Sequence, residues 1–529
     1  MSGEWWRNGV IYQIYPRSFQ DSNDDGIGDL AGLRRQLDYL TWLGIDALWV
    51  SPFYPSPMAD FGYDVADYCN VDPIFGSLEK FDRLVAEAHE RRLKVIVDFV
   101  PNHSSIEHPW FQESRRSRAD PKRDWYIWRD PAPGGGPPNN WISNFGGGAW
   151  TLDRDTGQYY HHAFLAEQPD LNWRNRQVRA AMHDVMRFWL ARGVDGFRVD
   201  VIWHLMKDAA LRDNPPNPAW TPDQPELERL AQAYSADQPE VQQIIAGLRR
   251  VVDEFDDRVL IGEIYLPIDR LVAYYGEGLK GVHLPFNFHL LQTPWRAPQV
   301  AALIQSYEAA LPEGAWPNWV LGNHDRARIA ARVGQAQARM AVMLLLTLRG
   351  TPTLYYGDEI GIGVVTIAPE QIRDPWAKRE PGLGVGRDPA RTPMQWDASN
   401  LAGFSTHEPW LPLTDDHRTR NVAVMRGDPT SILTLTRALL QYRRARPALA
   451  KGSWSLIDSN EDLLIYERRE GDERLFVALN FGEAAQDWAL PAELSGLEIA
   501  LSTHGDRKGE SVGSSLRLRP DEGVIFAPP

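Results

Sequence analysis

The sequence predicts an α/β protein: a closed barrel of eight strand–helix units, with a small domain inserted after the third strand and an antiparallel β domain at the C-terminus. Three observations predict it. Eight short apolar runs are interleaved with longer segments of helical period. The strand runs are apolar on both faces, as in parallel sheets covered by helices. The alternation occupies most of the 529 residues, which suits a barrel with long loops better than an open doubly wound sheet. Periodicity alone leaves the open sheet as the alternative.

The strands are expected at Val10–Tyr15, Ala47–Val50, Val95–Val100, Gly196–Ile202, Val259–Ile264, His283–Phe288, Trp319–Gly322 and Thr351–Tyr356. Leu30, Leu33, Leu37, Leu40 and Leu43 recur at helical spacing and predict one amphipathic helix over Leu30–Leu43. Further helices are expected at Leu78–Arg91, Val178–Leu190, Val241–Phe255, Val300–Ala310, Ala336–Leu348 and Ile432–Arg444. Three stretches break the rhythm. Residues 103–170, rich in Trp, Gly, Pro and Asn, are too long for a plain loop and read as the inserted domain. Residues 211–238 and 359–428 read as long insertions after strands four and eight. From about residue 452 the pattern changes to alternating strands, LLIYERR, RLFVALNF, EIALSTH and GVIFAPP.

Composition excludes several classes of function. Lys and Arg number 56 against 71 Asp and Glu, a net charge of −15 that repels phosphate backbones and anionic bilayers. No nucleic-acid or membrane partner is expected. The N-terminus lacks a basic segment followed by an apolar core, so it does not read as a signal peptide. The longest apolar runs, such as MAVMLLLTL, fall well short of the roughly 20 residues that span a bilayer. Cys69 is the single cysteine, so no intrachain disulfide forms. A soluble, cytoplasmic protein is expected. Its 21 tryptophans fill a core or offer flat faces for sugar rings.

In such a barrel the polar residues at C-terminal strand ends point into the active face. Those residues are Asp98, His103, Arg198, Asp200, Glu263, His324 and Asp325. Arg198 and Asp200 stand two apart in GFRVDV and share one side of the strand. Any one acid alone reads equally well as a salt bridge. Three acids from three strands, beside one arginine and two histidines, point to function. No GxxxxGK[ST] loop, HExxH motif or serine or cysteine nucleophile pattern accompanies them. Converging carboxylates of this kind suit glycosyl transfer, in which one attacks the anomeric carbon and a second protonates the leaving oxygen.

The motifs DFVPNHSS (98–105), GFRVDV (196–201), GEIY (262–265) and GNHD (322–325) resemble those of the α-amylase family of glycoside hydrolases. QPDLNW (168–173), MADFGYDVADY (58–68) and GRDPARTPMQW (386–396) resemble its α-glucosidase and oligo-1,6-glucosidase branch, and the likeness runs along essentially the whole chain. It implies a (β/α)8 TIM barrel over 1–102 and 171–451, an inserted domain over 103–170 and a C-terminal β-sandwich over 452–529. It also implies Asp200 as nucleophile, Glu263 as acid/base and Asp325 as the third acid, gripping sugar hydroxyls. Arg198 would align the nucleophile. His103, His324 and Asp60 would hydrogen-bond the terminal glucose beside the ring of Tyr63, with Phe164 as an apolar wall. Arg391, ahead of Arg387, would reach the same sugar, while Asp98 would be a structural partner of His103 and Arg198. Val201 after the nucleophile resembles the α-1,6-cleaving members.

Asp21, Asn23, Asp25, Ile27 and Asp29 place oxygen ligands at alternate positions, like the first half of an EF-hand loop. An acidic turn is the plainer reading; relatives in the branch bind an ion there, which implies a structural Ca²⁺ or Mg²⁺ remote from catalysis. No organic cofactor is expected. The implied activity is a retaining exo-α-glucosidase acting on small oligosaccharides, with isomaltose favoured, maltose or trehalose accepted, and transglucosylation accompanying hydrolysis. A transferring or isomerising relative such as trehalose synthase or amylosucrase is the alternative. The complete acid trio argues against an inactive transporter-associated homologue. A monomer and a homo-oligomer fit these readings equally.

Overall fold

Eight parallel strands carry the molecule, here a computed structural model that describes residues 4–491, 494 and 496–529. They are β1 (Ile11–Ile14), β2 (Ala47–Val50), β3 (Lys94–Phe99), β4 (Gly196–Val199), β5 (Val259–Ile264), β6 (Leu284–Asn287), β7 (Asn318–Val320) and β8 (Thr351–Tyr355). Each overlaps its expected run, and β4 and β7 stop early, at Val199 and Val320. The ladder order is β7-β8-β1-β2-β3-β4-β5-β6. Between β6 and β7 a side chain takes the place of the ladder. Asn318 accepts the Asn287 N–H at 3.0 Å and donates to the Pro285 carbonyl. Pro285 has no N–H to offer on the side where its carbonyl faces Asn318, so the ring closes through the asparagine amide.

Alternation along the strands divides the core in two. Ile11, Ala47, Trp49, Ile96, Ile261 and Leu284 pack together inside the barrel, while Tyr12, Leu48, Val50, Val95 and Leu260 pack outward under the helices. Continuing the inward series to the C-terminal strand ends gives Asp98, Arg198 and Glu263. Asp98 and Arg198 stand opposite each other in the β3–β4 register.

The expected helix over Leu30–Leu43 is two helices, Leu30–Arg35 and Leu37–Leu43. At Gln36 the backbone leaves helical ψ, and its amide reaches Gln20 Oε1 at 2.7 Å. The helix expected from Ala336 starts earlier, at Ile329, and breaks at Gly334, whose φ of 79° ordinary residues avoid. The insertion at 103–170 carries a helix, Pro109–Ser114, and a three-stranded antiparallel sheet of Trp128–Arg129, Gln158–His161 and Trp150–Asp153. The C-terminal strands form a six-stranded sheet and a two-stranded one. Residues such as Phe476, Trp488, Leu516 and Phe526 fill one apolar cluster drawn from both sheets. Among the described residues no helix is long and apolar enough to cross a membrane.

Candidate active site

A cavity of about 370 Å³ opens at the C-terminal ends of the strands. Arg198 organises it. Its Nη1 lies 2.7 Å from Asp98 Oδ1 and 2.8 Å from Asp200 Oδ1, and its Nη2 lies 2.6 Å from Glu263 Oε2. One fully buried guanidinium thus holds three carboxylates, whose solvation it partly replaces. Asp98 is fixed in turn by the indole N–H of Trp49 at 3.0 Å. Asp98 makes no contact with His103, which bonds Asn102 and the Tyr63 carbonyl instead; the expected partnership holds for Arg198 only.

β4 ends before Asp200, and the chain then turns through Val201 at φ 36°, ψ 47°. This left-handed turn brings both Asp200 and Val201 onto the cavity wall, which an extended strand would not do. It also aims the Val201 N–H at Glu263 Oε2, 2.8 Å away. Glu263 Oε2 therefore has two donors. Burial lifts both Asp200 and Glu263 above the ordinary carboxylate range; the negative charges around them add to the rise and Arg198 opposes it.

Asp325 behaves oppositely. Burial pushes its carboxyl up, but His324, Arg391 and Arg387 outweigh burial and hold it well below the usual range. His324 is lowered to about 3 and His103 to about 4, both by burial first, so both work as neutral hydrogen-bonding rings. The Gln13 amide lies 2.8 Å from His324 Nδ1, which leaves Nε2 to donate towards Tyr63 Oη at 2.7 Å and Asp325 at 3.3 Å. The Tyr63 and His324 rings lie parallel with centroids 5.3 Å apart.

One end of the cavity is closed by charge. Arg387 Nη2 pairs with Asp60 at 2.6 Å and Asp374 at 2.7 Å, and its Nη1 lies 3.5 Å from Asp325. Arg387, rather than the preferred Arg391, lines the cavity; Arg391 is fully buried behind Asp325, 3.0 Å from its carboxylate. Phe164 lines the cavity, packed on His103 and Phe145. All three long insertions supply walls: Asn144 and Phe145 from the first, Leu227, Glu228 and Gln232 from the second, Trp376 and Val385 from the third.

A neighbouring buried cluster was not expected. Lys207 Nζ donates to Asn102 Oδ1 at 2.7 Å and pairs with Asp170, which also takes His161 at 3.1 Å. Burial would raise the Asp170 carboxyl, but Lys207 and His161 hold it far below the ordinary range. The cluster ties the end of the inserted domain to the loops after β3 and β4. Asn102 beside His103, and Asp170 inside QPDLNW, were its legible signals.

The 21–29 loop folds on its own hydrogen bonds. Asp21 accepts the N–H groups of Asn23 and Asp24 at 2.9 Å and that of Gly26 at 2.8 Å. Asp25 accepts the Ile27 N–H at 2.8 Å, and Asp29 accepts Ser22 and caps the next helix through the Gly32 N–H. Among the described residues no three His, Cys, Asp or Glu side chains gather as a ligand set.

Residues 13–452 match the alpha-amylase catalytic domain family. The chain belongs to the alpha-amylase family. As a glycoside hydrolase of that family it is similar to the "Probable alpha-glucosidase" of Rhizobium meliloti, 44% identical over 99% of this chain and 97% of the relative. The oligo-1,6-glucosidase of Halalkalibacterium halodurans is 37% identical over 99% of each chain. Among solved structures, the alpha-glucosyl transfer enzyme XgtA superposes with a TM-score of 0.94 at 42% identity, covering 99% of both chains.

Proposed function

We propose that this alpha-amylase family member is a retaining, exo-acting α-glucosidase that releases single glucose units from the non-reducing ends of short α-glucosides. The observation that carries the reading is the closed end of the cavity. There Arg387, bridged to Asp60, Asp374 and Asp325, walls the cavity beside the carboxylates, which supports a site for one terminal sugar. Asp60, His103, His324, Asp325 and Arg387 offer that sugar hydroxyls' worth of donors and acceptors on a wall faced by the Tyr63 ring.

Asp200, ionised, attacks the anomeric carbon as the glycosidic bond breaks. Glu263 delivers its proton to the departing oxygen, and then removes one from the water that releases the glucose. Val201 N–H and Arg198 occupy Glu263 Oε2, so the proton to be donated belongs on Oε1. A pair held on two nitrogens of one guanidinium supports the short separation, about 5–5.5 Å, of a retaining enzyme. Val201 on the wall supports a preference for α-1,6 over α-1,4 linkages, with trehalose accepted.

A glucosyl-transferring or isomerising reading is favoured by the similarity to XgtA, an alpha-glucosyl transfer enzyme, and by Phe145, Trp203 and Trp376, apolar surfaces that compete with water for the intermediate. Product analysis decides between them. On isomaltose, maltose, trehalose, sucrose and maltotriose, hydrolysis gives glucose that appears first as the α-anomer. Initial β-glucose defeats the retaining mechanism, and lasting larger saccharides establish transfer.

A stabilising Ca²⁺ or Mg²⁺ in the 21–29 loop rests on the alternating oxygens of Asp21, Asn23, Asp25, the Ile27 carbonyl and Asp29. Each Asp25 oxygen accepts a single N–H, from Ile27 and from the Asn23 amide, and so retains a second lone pair for an ion. The ion would brace the loop and take no part in the chemistry.

A further inference from the structure

The opposite end of the barrel carries a feature the reaction does not use. A cleft of about 240 Å³ lies among Trp5, the residues that open β1, β2 and β3, and the helix Ile432–Ala445. Four cationic side chains line it, Arg92, Lys94, Arg443 and Arg444, against one carboxylate, Asp46.

The anions nearby are already committed. Asp46 takes Arg444 at 2.7 Å and the Val10 N–H at 2.9 Å. Asp195, just behind, serves Lys94 at 3.0 Å, His89 at 2.6 Å and Arg258 at 3.4 Å. Arg92 is exposed and has no carboxylate in ion-pair reach among the described residues. Arg443 gives its Nη groups to the carbonyls of Leu346, Leu348 and Gly350, and its buried Nε has no acceptor. Among the side chains that line this cleft, arginine and lysine cations thus exceed carboxylates four to one, in a chain whose net charge is −15.

A positive surplus gathered in a concavity repels itself and focuses its field on small anions. Guanidinium forks match the oxygens of a phosphoryl group, and the Trp5 ring supplies a flat apolar face beside them. The volume falls below the roughly 300–1,000 Å³ of sites for drug-sized ligands. We propose that this cleft binds a phosphoryl dianion, either inorganic phosphate or the phosphate monoester of a single sugar.

The test titrates inorganic phosphate and glucose 6-phosphate against the full chain in chloride buffers of matched ionic strength. Tm and isothermal calorimetry are read for the wild type and for the double variant Arg92→Gln, Arg444→Gln. Both positions are exposed and remote from catalysis, so the variant's unliganded Tm and its kcat serve as folding controls. The expected result is a saturable rise in wild-type Tm beyond that in chloride, with affinity at least tenfold weaker in the variant. Tighter binding of glucose 6-phosphate than of phosphate assigns the sugar monoester; equal binding assigns free phosphate. A Tm that follows ionic strength alone overturns the proposal. So does binding that survives in the variant, because it then belongs to the catalytic cavity.

Discussion

Val201 shows how much one residue can settle at the smallest scale. A β-branched side chain at φ 36° costs about 1–3 kcal/mol of backbone strain. In return its N–H meets Glu263 and the residue lines the cavity. Threonine is branched like valine, so Val201→Thr keeps the strain and exchanges one methyl for a hydroxyl able to bond an α-1,4-linked acceptor. The expected outcome is a fall of about tenfold in the isomaltose to maltose ratio of kcat/KM, at the low end of what one such contact discriminates. An unchanged ratio would make Val201 a packing residue. The sequence could supply the identity of this residue but not its φ, because neighbouring residues in a strand face opposite sides and only the early end of β4 turns both inward.

Elements join the catalytic barrel to its insertions. Lys207, on the loop after β4, holds Asp170 at the end of the inserted domain, and both are almost wholly buried. Lys207→Met should cost about 3–5 kcal/mol, because Asp170 then keeps its buried charge without the lysine cation. Thermal unfolding checks this, and the double variant Lys207→Met, Asp170→Asn should recover most of the loss. If the double variant is as unstable as the single one, the ion pair is not the cause. The 21–29 loop gives a second check at this scale. Excess chelator should lower the Tm before it changes kcat or KM, since an ion bound only to the native loop stabilises by mass action. An unchanged melting curve, with no metal in elemental analysis, leaves the loop to its own hydrogen bonds.

For the whole molecule, acid is the relevant stress. Burial lowers His103 and His162 to about 4, and His108, His204, His283 and His324 to about 3. In the unfolded chain each titrates near 6.5. Folded values depressed below the unfolded one mean stability that is present above about pH 6.5 and lost as pH falls towards 4 to 3. Each histidine contributes about 1.4 kcal/mol per pH unit within that window. Stability measured by denaturant from pH 7 to pH 4 should therefore fall steeply, with several protons taken up on unfolding. A flat profile would show that these rings are reached by water in the native state.

The eight strands, and the three acids Asp200, Glu263 and Asp325 that meet at one cavity, were legible in the sequence. Strand periodicity is local, and residues such as Asp98, Glu263 and Asp325 stand in short motifs at strand ends. What the tertiary structure decided was which side chains meet across hundreds of positions. It put Arg387 rather than Arg391 on the wall, turned Asp98 towards Arg198 and away from His103, and set Lys207 against Asp170. It also closed the barrel through Asn318 where Pro285 lacks an N–H. Such pairings depend on where loops return in space, and the spacing of residues along the chain carries no record of that.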